Sequence, residues 1–128
     1  MSLSDGQLFK LSVGKNNFSV EVAISSAAIT QGLSGRAKLK KGSGMLFIFP
    51  GLFQQSMWMI DMKFPLDIVW LDEYLTVVHI TYNTLPCPNA QNCPSYSSVR
   101  RVKYAIEMTA GDAEAYGFEK EMKLSVSS

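Results

Sequence analysis

The sequence predicts a mainly β, single-domain protein: an antiparallel β-sandwich or partly closed barrel with one or two short helices. Three observations lead there. Apolar and polar residues alternate at period two in several short runs, the mark of strands with one covered face. Glycine, asparagine and proline punctuate those runs as turn formers. Helical signals are confined to two short stretches. Of 128 residues, 47% are hydrophobic and 18% charged, which excludes a disordered chain. Such a length suits one domain burying roughly two-thirds of its unfolded surface. Twelve basic residues against eleven acidic ones give a net charge of +1, so no electrostatic footprint for nucleic acid or an anionic membrane exists.

Taken in order, residues 1–6 lack the basic start and apolar core of a secretion signal and read as a disordered, expression-derived leader; the domain is expected over 7–126. Leu8 to Val13 and the alternating Phe18, Val20, Val22 and Ile24 form a hairpin across Gly14-Lys15-Asn16-Asn17, residues that accept positive φ. Ser25 or Ser26 caps a short helix over Ala27 to Leu33, with Gly35 as its stop. Met45 to Phe49 and Met57 to Ile60 read as two buried strands with a Pro50-Gly51 turn between them. Leu66 to Leu71 and Val77 to Tyr82 carry large apolar residues on both faces, as interior strands do. Asn83 to Ser98 is the longest irregular segment. Tyr104, Ile106 and Met108 alternate with Lys103, Ala105 and Glu107 in a further strand, and Gly111 to Tyr116 forms a second helical turn, with Asp112 at its positive end and Gly117 as stop.

The apolar content is concentrated. Gly42 to Ile60 holds no charged residue and is long enough to span a bilayer. Its Pro50, Gly51, Gln54 and Gln55 would break such a helix and strand amides in lipid, so no transmembrane segment is expected.

Within that stretch lies the leading candidate site. In a regular strand Met57, Met59 and Asp61 point one way and Trp58, Ile60 and Met62 the other. Unless both faces are covered, a tryptophan or two methionines meet solvent, and clustered exposed apolar groups mark binding sites. If both are covered, the whole string is core. Thioethers are soft ligands, so a Cu(I) site from Met57, Met59 and His79 or Met62 is a second possibility, although the spacing is not diagnostic. Asp61 and Asp67 are the only acids between Gly42 and Leu71. They are an acid–base pair if their environments differ; alternatively Asp67 accepts backbone N–H groups at a strand entrance. Cys87 and Cys93 are the only cysteines, and a local disulfide between them contributes roughly 2 kcal/mol by loop closure. Glu107 is expected in a structural ion pair with Arg36, Arg100 or Arg101, and His79 as a satisfied residue on a strand face. No phosphate loop, nucleophile elbow, paired CxxC or histidine cluster is present.

Several strings in fixed order carry a family resemblance: Gly32-Leu33 with Arg36, Gly44-Met45-Leu46-Phe47, Met57-Trp58-Met59, Pro65-Leu66-Asp67-Ile68, Pro86-Cys87, Cys93-Pro94-Ser95-Tyr96, and Tyr104 with Glu107 leading into Ala110-Gly111 and Gly117. Over roughly residues 18–126 the chain resembles the family called domain of unknown function 192. The resemblance implies a small mainly-β domain, often made with an export signal, whose biochemical role is not established. Ile60-Asp61 stands where the family usually has Lys-Asn, and Glu119 to Met122 lacks its usual Gly-Asp turn.

The expected function is a non-catalytic binding module for a small molecule, glycan or peptide. Met57, Trp58, Met59, Asp61 and Asp67 are its candidate ligand-binding residues, next to the Cys87–Cys93 loop. No catalytic residue and no cofactor are expected, and the partner is an unspecified ligand or protein rather than nucleic acid. A Cu(I)-handling protein and a hydrolase using Asp61 and Asp67 are the alternatives. The cysteine pair and the resemblance together point to the periplasm or the extracellular space, with any export signal outside this sequence.

Overall fold

The computed structural model describes residues 2–127. It contains one mixed sheet of seven strands with two short helices. In chain order these are β1 Leu8–Val13, β2 Asn16–Ala23, α1 Ser26–Gln31, β3 Ser43–Trp58, β4 Leu66–Leu71, β5 Val77–Thr84, β6 Ser95–Thr109, α2 Asp112–Ala115 and β7 Ser125–Val126. Across the sheet the order is β5-β4-β6-β3-β2-β1-β7. The mainly-β, single-domain expectation holds.

The hairpin forms as its turn residues dictate: Val13 pairs with Asn16, and Gly14 supplies the positive φ of 59°. Ser25 caps α1 by accepting a hydrogen bond from the Ala28 N–H, and the helix stops at Gly32, earlier than Gly35, because Gly32 already adopts a positive φ of 51°. Near the start of the chain, the Asp5 carboxylate accepts from the backbone N–H groups of Ile24 and Ser25 at 2.7 and 3.0 Å.

Three features depart from the expected pattern. β2 and β3 run parallel, whereas every other pair is antiparallel. The connection through α1 and residues 32–42 is long enough for a parallel return, which a tight hairpin cannot make. β3 is one continuous strand rather than two strands around a Pro50-Gly51 turn. Its register against β6 shifts between Ile48 and Phe53, so Pro50 lies in a bulge where its missing N–H costs no ladder bond. Finally, β5 is an edge strand and not an interior one. Val77 and Val78 are buried, but Tyr82 is exposed; only β4, flanked on both sides, is buried throughout.

Strand alternation divides the core between the two faces of the sheet. Leu46, Ile48, Val69, Leu71, Ile106 and Met108 belong to one cluster, closed by Phe118 and Leu124 after α2. Met45, Phe47, Ile68, Trp70 and Ala105 belong to the other, closed by Leu33 and Met59. The sheet does not close into a barrel. Its gap is spanned by residues 121–126, which bridge Thr76 at the β5 edge through Lys123 and then pair with β1 as β7. No helix among the described residues is long and apolar enough to cross a membrane.

Candidate functional site

On the second face, α1 and the residues after it do not seal the sheet. A cavity of about 590 Å³ remains between them and the outer half of β3, lined by Ile29, Phe49, Met57, Trp58 and Met62 among others. The bulge at Pro50-Gly51 separates the two halves of β3, and residues from both halves face this space.

Glu107 lies in the wall of the cavity. Its position follows from register: it pairs with Met45 of β3 on one side and Ile68 of β4 on the other, so its side chain shares their face. Gly32, where α1 ends, lies over it. A Cβ built there would sit 3.8 Å from Glu107 Oε1 and 3.3 Å from the Phe47 ring, so carboxylate and ring are neighbours under the helix end.

Among the described residues no cation offsets this carboxylate. The expected pairing with Arg36, Arg100 or Arg101 is not made. Arg36 instead forms a two-pronged pair with Glu21, at 3.1 and 3.0 Å, and this is the one ion pair among the described residues. Arg100 and Arg101 are exposed, and the Lys103 ammonium donates to the Phe49 carbonyl at 2.7 Å. Burial alone therefore pushes the Glu107 carboxyl from 4.5 up to about 8. No other residue lining the cavity carries an ionisable side chain.

The sequence-derived candidates separate in space. Met57 and Trp58 line the cavity, and Trp58 keeps 50% of its surface exposed. Met59 is core at 1% exposure, its sulfur 3.2 Å from the Thr84 hydroxyl. Alternation ends there, because Asp61 takes a positive φ of 60° and the Met62 N–H turns back to the Met59 carbonyl. Asp61 is exposed at that turn. Asp67 is buried, and its carboxylate accepts from the backbone N–H groups of Asn83, Gly111 and Ala113 at 2.9, 2.9 and 3.1 Å. It clamps β4 to β5 and to the start of α2, the structural role open to an aspartate at a strand entrance.

His79 faces Trp70 across the β5–β4 pair and does not line the cavity. Burial, and then the charge of Lys120, hold it below the usual histidine range. The methionines and His79 thus do not assemble as a set. Among the described residues, no group of three or more His, Cys, Asp or Glu side chains could hold a metal ion. Cys87 and Cys93 form a disulfide. Its loop abuts the end of β3, where Cys87 bridges Ile60 and donates its N–H to the Met59 carbonyl.

The sequence points to Glu107 as one half of an ion pair, not as an unpaired carboxylate at a cavity. The signal was a lone acid among Ala105, Ile106 and Met108, but its missing partner depends on strand order, which the sequence does not display.

The model of the family DUF192, an uncharacterised ACR, matches residues 9–126. The chain belongs to that family. Among solved structures, a DUF192-like fold recurs in a Sinorhizobium meliloti 1021 protein described as a "putative transcription regulator". It is 25% identical, with a TM-score of 0.84 and 98% of each chain covered. A Novosphingobium aromaticivorans DSM 12444 protein of unknown function is 22% identical with a TM-score of 0.80, covering 92% of this chain and 83% of its own. No curated protein matches the chain.

Proposed function

We propose that this DUF192 protein is a non-catalytic binding module that receives a small molecule in the cavity beneath α1. The observation that carries the reading is a half-open, aromatic- and methionine-lined cavity of about 590 Å³ with neutral polar side chains at its margin and one ionisable group, Glu107. Small-molecule sites of roughly 300–1,000 Å³ share this design: apolar walls and a few polar groups that fix orientation. Trp58 stands half-exposed beside it, ready to be covered by a ligand. A glycan or peptide would need a more extended surface. Catalysis lacks support, since Asp67 is committed to three backbone donors and Glu107 shares the cavity with no second ionisable group. A role on nucleic acid, as the description of the S. meliloti protein would suggest, finds no support in a net charge of +1. The Cys87–Cys93 disulfide supports action in an oxidising compartment.

Trp70 is fully buried, so a Trp70→Phe protein reports from Trp58 alone. Titration of that protein with a panel of small aromatic and aliphatic molecules should change its emission saturably and protect it from acrylamide. Emission and quenching that no member of the panel alters would overturn the reading.

A further inference from the structure

We infer that the ligand of this cavity is an organic ammonium ion with an apolar body, its charge received by the Glu107 carboxylate. The inference rests on the cavity being a binding site and goes further by naming the chemistry of the occupant. Three observations carry it. Glu107 is 5% exposed, opens on the cavity, and is its one ionisable group. An anionic ligand would meet no cation there and would be repelled by the carboxylate.

Second, among the described residues no element packed around Glu107 supplies a countercharge. β3 presents Met45 and Phe47, and β4 presents Ile68. On the same face of β2, Glu21 is occupied by Arg36. On β6 itself, Lys103 is turned to the Phe49 carbonyl. In the segment between β3 and β4, Asp61 and Lys63 are exposed. A desolvated carboxylate without a partner is costly, and a ligand cation removes that cost.

Third, aromatic rings accompany the carboxylate. Phe47 adjoins it under Gly32, and Phe49 and Trp58 also line the space. Ring faces attract cations, and a nearby carboxylate strengthens the preference.

The proton balance is simple. Where Glu107 is protonated before binding, the incoming ammonium displaces that proton to solvent, leaving a carboxylate–ammonium pair. Binding therefore releases up to one proton and tightens as the pH rises toward 8.

Isothermal titration of the full chain with phenethylamine and with phenethyl alcohol, which match in size but differ in charge, tests this. The amine should bind wild-type protein at least about tenfold more tightly than the alcohol, as a charge-assisted hydrogen bond allows. Its heat should vary with the ionisation enthalpy of the buffer, reporting proton release. Glu107→Gln should abolish the amine preference and melt no lower than wild type. Equal affinities on wild-type protein, or an amine preference that survives in Glu107→Gln, would overturn the inference while leaving the binding site standing. If neither compound binds at millimolar concentration, the site itself fails and the inference with it.

Discussion

Glu107→Gln should make the folded protein more stable, by a difference that develops as the pH rises from 4.5 to about 8 and persists above it. In the unfolded chain the carboxyl ionises near 4.5, whereas burial holds its folded value at about 8. The folded protein thus keeps a proton that the unfolded chain has released, so stability falls as the pH rises between these values. Below the window both states are protonated and the group contributes nothing. Above it the penalty is complete. At about 1.4 kcal/mol per pH unit, the span from 4.5 to about 8 amounts to about 5 kcal/mol. Rotation of the carboxylate toward the cavity relaxes part of this, so a difference of roughly 2–4 kcal/mol at pH 9 is expected. The assay is urea denaturation of both proteins from pH 4 to pH 9, read as the difference between them, which cancels the other titrating groups. Curves that coincide at acid pH and diverge above pH 5, with the variant more stable, are the expected result. A constant offset across the range, or a wild type that gains on the variant with rising pH, would refute the reasoning.

Four other outcomes follow from the same geometry. Asp67→Ala should cost about 3 kcal/mol or more in urea denaturation, because three backbone N–H groups lose their acceptor. Trp70→Ala should cost about 3–5 kcal/mol from a filled core position and a lost bond to Thr81, whereas Trp58→Ala should cost under about 1 kcal/mol yet weaken ligand binding, as thermal melts and titrations would show. Reducing the Cys87–Cys93 disulfide should lower stability by roughly 2 kcal/mol in paired denaturation curves, without changing ligand affinity, since neither cysteine lines the cavity. Gly32→Ala should destabilise by about 1–2 kcal/mol, since its φ is +51° and the new methyl would press on Phe47 at 3.3 Å, and a thermal melt would register it.

Local chemistry made much of this fold legible. The Gly14 turn, the Ser25 cap and the alternation of Phe18, Val20 and Val22 are settled by residues close in sequence, and all three are present. Register and strand order are not local. Pro50-Gly51 signals a turn to any reading of the chain by itself, but β6 runs alongside and makes a bulge there instead. Val77 to Tyr82 is as apolar as an interior strand, yet it lies at the edge. Both faces of the Met57-Trp58-Met59 string proved to matter, with Met59 in the core and its two neighbours at the cavity. The ion pair expected for Glu107 fails for the same reason. Arg36 could have reached several acids, and only the parallel placement of β2 beside β3 brings Glu21 to it.

The segment that spans the two edges of the sheet also orders events during synthesis. Val77 and Met122, and Leu11 and Val126, are partners across long stretches of chain. Until residues 121–126 leave the ribosome, the flanks of β5 and β1 lack these partners, and open flanks are templates for intermolecular pairing. The flanks of β1 and β5 therefore stay open until that segment is made. The final locking of the fold awaits residues synthesised after everything they join, so its yield should depend on chaperones that hold unfinished chains apart.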